Sequence, residues 1–273
     1  MKLFFRLLRE SFIFSFNAII ANPVRTILSL LGVTIGIFTI IAVLSTVDSL
    51  EKSIKDNLSF LGTDNIRVEK WPWDFDNPSY EWWKFWKRPE PTYREYEFLK
   101  ENLPSALSVE IATNRGISNV KYLNNSSSVD NLNGVVFENQ FFNDWDFIAG
   151  RFFTQNETII GLDAVIIGYK IMKDLFRSPE NAIGKQIKIK GRSFTVIGVQ
   201  SEQGESFGGG DSYDRQMSIP FNTFKKMFRV GGKGSNAVIR IKGDSEIDPG
   251  LVNLEYEVKG LLRAKRGLKP IEE

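Results

Sequence analysis

Residues 27–47 read ILSLLGVTIGIFTIIAVLSTV. These 21 positions carry no charge, and 14 of them are aliphatic or aromatic. As a helix rising about 1.5 Å per residue they cover roughly 30 Å, the thickness of a bilayer's hydrocarbon core. A buried helix of a water-soluble domain is usually shorter and keeps a polar stripe on one side, which this run lacks. No second run of this kind occurs, and the next apolar patch, Ala164-Val165-Ile166-Ile167, has the length of a strand. A cleaved secretory signal is the competing reading. The run begins only after 26 residues, exceeds the roughly 7 to 15 residues of a signal's apolar region, and ends in Leu44-Ser45-Thr46-Val47-Asp48 without a small-x-small cleavage pattern. The expectation is an uncleaved transmembrane helix over 26–47.

The flanks set its direction. Lys2, Arg6, Arg9 and Arg25 precede the span against Glu10 alone, whereas Asp48, Glu51 and Asp56 follow it with Lys52 and Lys55 interspersed. The basic side stays cytoplasmic, so residues from 48 onward lie outside. Within residues 1–25, Leu3, Phe4, Leu7, Leu8, Phe12, Ile13 and Phe16 recur at helical spacing. This is the pattern of an amphipathic helix at the membrane surface, with its basic residues toward lipid phosphates. Asn22-Pro23 then breaks the chain before the span.

Gly32 and Gly36 stand four residues apart within the span, a spacing that lets another helix backbone approach closely. Beyond the span Val47, Leu50, Ile54, Leu58 and Leu61 continue at steps of three and four up to Gly62. Span and stalk therefore read as one helix from Thr26 to Leu61, closed by a left-handed glycine.

The outer part mixes strands and helices. Strands are expected at Asn65 to Lys70, Val109 to Asn114, Met217 to Pro220 and Ala237 to Ile241, with a hairpin from Gln186 to Val199 turning at Gly191-Arg192. Thr92-Tyr93-Arg94-Glu95 is a capping box that opens a helix, a short helix is expected at Thr223 to Phe228, and Asp248-Pro249 starts a last helix that Gly267 closes. The segment 71–91 departs in composition: it holds Trp71, Trp73, Trp82, Trp83 and Trp86, five of the six tryptophans. These rings have three destinations: a local cluster, the outer leaflet, or a ligand or partner.

Composition removes several functions. Among 273 residues there is no Cys and no His, which excludes disulfides, zinc ribbons, and Cys- or His-based catalysis. The formal charge of +2, from 35 basic and 33 acidic side chains, offers no footprint for nucleic acid. Gly208-Gly209-Gly210-Asp211 lacks the Gly-Lys-Ser/Thr ending of a phosphate loop, and Asp144 with Asp146 lacks the further oxygens of a Ca²⁺ loop. No catalytic residue, cofactor or metal site is expected. Asn124, Asn125 and Asn156 head glycosylation-type triplets that fit turns.

Read in order, ANPVRTILSLLGVTIGIFTIIAVLSTVDSL and SLEKSIKDNLSFLGTDNIRV resemble the first membrane helix, stalk and first strand of MacB/FtsX-type ABC transporter permeases. Gly150-Arg151-Phe152-Phe153, Ala164-Val165-Ile166-Ile167-Gly168, Asp174-Leu175-Phe176, Ala182-Ile183-Gly184-Lys185, Phe194-Thr195-Val196-Ile197-Gly198-Val199 and Ile219-Pro220 follow in the order of the MacB-like periplasmic core domain. The resemblance implies an α+β periplasmic domain of two subdomains on a membrane helix that continues into a stalk. Residues 48–112 and 222–273 would form the membrane-proximal subdomain, and 113–221 an inserted β-rich one. It also implies a homodimeric permease of the inner membrane, driven by a separate cytoplasmic ATPase and contacting membrane lipids and a periplasmic adaptor protein. ATP-driven motion would pass up the stalk as mechanotransmission, for export or efflux. Such permeases usually have four membrane helices, so the chain reads as truncated after Glu273, and no Walker A sequence is present. The alternative function is a single-pass membrane-anchored extracytoplasmic sensor or adaptor domain, and a membrane-anchored hydrolase is a third class.

Overall fold

The computed structural model describes residues 2–59, 64–71, 82–86, 88–204, 213–230 and 235–269. It divides into two compact units, Met1–Asp56 and Asn57–Glu273.

The first unit is helical. α1 spans Lys2–Ala21 and α2 spans Pro23–Ser59, separated by a bend at Asn22. The long helix starts three residues earlier than the apolar pattern implies, because a proline loses nothing at the first helical position, where its absent N–H would be unpaired anyway. Asn22 in turn receives both the amide and the hydroxyl of Thr26 on its carbonyl, at 3.2 and 3.1 Å. At 37 residues, α2 is about 55 Å long. The expected end at Leu61 and Gly62 lies outside the described residues.

The second unit takes in the end of α2 from Asn57 and continues with β1 (Asn65–Val68), α3 (Trp82–Phe85), α4 (Tyr93–Asn102), β2 (Ser108–Gly116), β3 (Asn119–Tyr122), β4 (Asn125–Ser128) and β5 (Asn131–Val135). After a 3₁₀ turn at Phe137–Phe141 come β6 (Phe147–Gly150), α5 (Gln155–Ile160), β7 (Ala164–Ile167), α6 (Tyr169–Phe176), β8 (Gln186–Ile189) and β9 (Arg192–Gln200). β10 (Gln216–Pro220), α7 (Phe221–Met227), β11 (Asn236–Lys242) and α8 (Val252–Arg266) complete it. The described strands form one sheet in the order β1-β11-β2-β5-β10-β7-β9-β8-β3-β4, with β6 on β9. It is a mixed sheet: β5 with β10 and β7 with β9 run parallel, and the other pairs antiparallel.

Two main apolar clusters lie along this sheet. Val109, Ile111, Ile239 and Ile241 meet Leu99 of α4 and Leu254 and Val258 of α8. Val165, Ile167, Ile187, Phe194, Val196 and Ile219 meet Ile171, Met172 and Leu175 of α6. One turn of α7 serves both, since Phe221 belongs to the first cluster and Phe224 to the second. Gly134 on β5 leaves the room for this, because a Cβ there would stand 2.8 Å from Phe224.

Local details differ from the sequence expectation where backbone conformation decides. The β8–β9 loop is Lys190-Gly191, both at positive φ (49° and 86°), as a two-residue hairpin with the right-handed strand twist requires. α7 begins at Phe221 rather than Thr223, directly on Pro220. The last helix starts at Val252: Pro249–Leu251 forms a 3₁₀ turn with Gly250 at φ 73° and Leu251 at φ 55°. Asp248 still caps it, its carboxylate accepting from the amides of Asn253 and Leu254 at 3.3 and 2.9 Å. Asn125 sits on β4 and donates to the Leu175 carbonyl at 2.9 Å, and Asn156 lies in α5. Only Asn124 of the three occupies a turn.

Candidate functional site

In the first unit, α2 presents its apolar residues outward from Val24 to Leu50: Leu28 is 64% exposed, Phe38 70% and Ile41 61%. Pro23–Glu51 is long and apolar enough to cross a membrane, and none of its most apolar window is buried within the protein. In water that surface would oppose folding, whereas in hydrocarbon it is matched to its solvent. The helix also satisfies its own hydroxyls. Thr34, Thr39 and Thr46 donate to the carbonyls of Leu30, Ile35 and Ala42 at 2.7–2.8 Å, so none needs a water molecule. Gly32 and Gly36 share this surface, and a Cβ on either would meet nothing within 4 Å. Val47 and Leu50 of the stalk face are exposed. Ile54 and Leu58 lie in the helix with their side chains outside the described residues, and Leu61 is outside them altogether.

In the second unit, the tryptophan segment is described in part. The rings of Trp71 and Trp86 meet edge-to-face at 6.3 Å. The Lys70 ammonium lies 5.4 Å from the first centroid and 5.3 Å from the second. Arg88 covers the ring of Phe85 at 4.5 Å. Burial pushes the Glu90 carboxyl up, against a backbone hydrogen bond from Ala237 and the nearby Lys70 charge. The side chain of Trp82, and Trp73 entirely, fall outside the described residues.

The sequence reading missed a buried polar hub. Glu110 on β2 and Arg240 on β11 are direct cross-strand partners and are ion-paired, with Glu110 fully buried and Arg240 8% exposed. They point away from the cluster that holds Val109 and Ile111, because alternate residues of a strand face opposite sides. That second face is covered by the segment 137–147. Asn139 donates to the free oxygen of Glu110 at 2.7 Å and accepts from Asn143 and the Trp145 indole at 3.0 and 3.1 Å. Arg240 reaches the Asn143 amide oxygen at 3.2 Å and lies 5.2 Å from the centroid of Phe142. Burial pushes the Glu110 carboxyl up, opposed by the Arg240 guanidinium and the Asn139 amide. Beside it, Glu138 accepts from Tyr96 at 3.2 Å and from Lys100 at 2.5 Å, and burial raises the Tyr96 hydroxyl strongly. The hub ties the segment between β5 and β6 to the sheet and offers no nucleophile. Asp144 and Asp146 point to solvent, and no group of three or more His, Cys, Asp or Glu converges among the described residues.

An exposed apolar helix of membrane length, followed by a mixed α/β domain with this strand order, defines a membrane-anchored chain carrying an extracytoplasmic domain. The model of the MacB-like periplasmic core domain matches residues 26–252, and the chain belongs to that family, within the MacB/FtsX-type ABC transporter permeases. A macrolide export ATP-binding/permease protein MacB from Chlorobium phaeobacteroides is 27% identical over 260 residues, 93% of this chain and 37% of that protein. A pyoverdine export ATP-binding/permease protein PvdT from Pseudomonas syringae pv. syringae is 27% identical over 210 residues, 74% of this chain and 29% of that protein. The chain thus spans roughly a third of the length of these curated relatives. Two solved structures share the fold. The periplasmic region of MacB from Actinobacillus actinomycetemcomitans aligns with a TM-score of 0.59 at 20% identity, covering 78% of this chain and 89% of that one. The extracellular domain of the transporter YknZ from Gram-positive bacteria aligns with a TM-score of 0.56 at 23% identity, covering 75% and 96%.

Proposed function

We propose that the chain supplies the membrane anchor and periplasmic domain of an export permease in which ATP hydrolysis by a separate cytoplasmic ATPase rearranges the periplasmic domain through α2. The observation that carries this reading is the unbroken helix Pro23–Ser59, which runs from the membrane-length apolar stretch to within six residues of the first strand of the sheet. A helix resists bending where a flexible linker does not, so displacement at its inner end is delivered to its outer end. Two copies would pair through the backbone left bare at Gly32 and Gly36, with Val47, Leu50, Ile54, Leu58 and Leu61 as the stalk's contact face. The N-terminus and α1 lie on the cytoplasmic side of the inner membrane, where Lys2, Arg6, Arg9 and Arg25 meet anionic headgroups. The sheet domain divides into a membrane-proximal part, 48–112 with 222–273, and an inserted part, 113–221, joined at α7. A periplasmic adaptor protein is a further partner expected of such an assembly. The names of the relatives, macrolide and pyoverdine export proteins, support export or efflux as the task of the assembly.

The test exploits the absence of cysteine from the sequence. Single cysteines introduced on β3 and on α8 of the complete transporter, reconstituted with its ATPase, take spin labels whose separations are measured with and without ATP and vanadate. Trapping the ATP-bound state changes these separations, and four Gly/Ser residues inserted after Leu50 abolish the change. Separations that ignore ATP, or that still respond after the insertion, would refute transmission through the helix and leave a tethered sensor or adaptor as the reading.

A further inference from the structure

Trp83 and Trp86 are 55% and 57% exposed, although full burial of a large apolar side chain is worth about 2–3 kcal/mol. They stand on and just after α3, a single turn of helix, and charge borders them. Lys70 lies over Trp71 and Trp86, and Arg88 over Phe85. In sequence, Trp82-Trp83-Lys84-Phe85-Trp86-Lys87-Arg88 interleaves four aromatic residues with three cations and no acid. Of the acids in the segment, Asp74, Asp76 and Glu81 precede this run and Glu90 follows it, near the Lys70 charge.

We propose that the segment around Trp83 and Trp86 is a docking surface for the anionic phospholipid headgroups of the bilayer that anchors the chain. Indole is amphipathic and resides at the headgroup level of a membrane, its ring in the acyl boundary and its N–H toward water. The described cations beside these rings, Lys70 and Arg88, would meet lipid phosphates, and such attraction grows with the negative surface charge of the leaflet. The run 82–88 carries both elements, so its charge complements an anionic lipid surface. The anchor at Pro23–Glu51 supplies the second condition. A tethered segment meets its own membrane at high effective concentration, so a weak patch suffices where a free domain would need far more affinity. The proposal rests on that anchoring.

The distribution of tryptophan makes the test direct. α1 and α2 contain none, five of the six lie between 71 and 86, and the sixth, Trp145, is packed against Phe147 and Phe152 at 5.9 and 4.7 Å. The full chain is reconstituted in vesicles of brominated phosphatidylcholine, with or without about 30% phosphatidylglycerol. With the anionic lipid, emission shifts to the blue and about half of it is quenched by the bromines, and Trp83→Ser with Trp86→Ser removes most of that quenching while the chain still floats with the vesicles. A chain that floats but is unquenched, or quenched equally without phosphatidylglycerol, overturns the anionic docking surface alone. Protection of the indoles that appears only when peptidoglycan or a soluble periplasmic protein is added overturns it as well. A chain that does not float overturns the membrane anchoring with it.

Discussion

Replacing Arg240 by methionine leaves the carboxylate of Glu110 fully buried with Asn139 as its one remaining donor at 2.7 Å. An uncompensated buried charge of this kind costs about 3–5 kcal/mol. The magnitude has a ceiling set by titration, because the carboxyl can instead take up a proton. At pH 7.5 protonating a group whose unfolded pKa is about 4.3 costs roughly 4.4 kcal/mol, at 1.36 kcal/mol per unit, and at pH 5.5 only about 1.6. The sign follows from the direction of the shift. Without Arg240 the folded carboxyl titrates above its unfolded value, so the penalty is absent below the unfolded pKa, grows as pH rises through the window between the two, and saturates beyond the folded pKa. Arg240→Met therefore destabilises by about 3–4 kcal/mol at pH 7.5 and about 1.5 at pH 5.5. In melting temperature the first is roughly 10 °C for a domain of this size.

The assay is urea and thermal unfolding of the full chain in detergent, followed by near-ultraviolet circular dichroism at the two pH values. The double variant Glu110→Met with Arg240→Met is the control. It replaces the pair by apolar volume and leaves Asn139 and Asn143 short of one partner each, so it recovers most of the loss, to within about 1–2 kcal/mol of the starting protein. A cost below 1 kcal/mol for the single change, or one that is the same at both pH values, would show that Glu110 finds another partner or admits water. A double variant as unstable as the sum of both singles would refute the idea that the hub is a closed pair.

Two further outcomes are expected. Gly36→Leu places a branched side chain on the bare backbone of α2, so disulfide trapping of dimers through a cysteine introduced at Ser29 falls several-fold in membranes, whereas undiminished trapping would remove Gly36 from any helix contact. Arg151 grips Glu157 through two bonds of 2.8 and 2.7 Å while Glu157 caps the amide of Thr154 at 2.8 Å. Chiefly through the Arg151 hydrogen bond, the carboxyl falls from 4.5 to about 2. A lowered carboxyl stabilises above its unfolded pKa and loses that contribution as pH falls from about 4.5 to 2. Because Arg151 is half exposed, Glu157→Gln costs about 1 kcal/mol at pH 7 rather than the full linkage value. The difference between the two proteins shrinks through that window, and a difference that stays constant down to pH 2 would contradict the assignment.

What could be read from the sequence was whatever is written within one turn or one strand. The span at 27–47 is legible because its solvent imposes an uninterrupted apolar run, and the Thr92–Glu95 box because both reciprocal bonds close within three residues, at 3.3 and 2.7 Å. The same pattern recurs at Thr154–Glu157 and went unread, although it announces α5 in the same way. The hub could not be read at all. Glu110 and Arg240 are 130 residues apart, and each stands alone among apolar neighbours, where it looks like an ordinary outward-facing charge of a half-buried strand. Only the pairing of β2 with β11 and the cover laid by Asn139, Asn143 and Trp145 turn the two positions inward together. The same distinction governs the functional claim. A continuous helix such as Pro23–Ser59 is local in sequence and can be recognised from periodicity. In the mechanism proposed above, what such a rod would move depends on contacts such as this hub, which tie the segment between β5 and β6 to the sheet and are written in no single stretch of sequence.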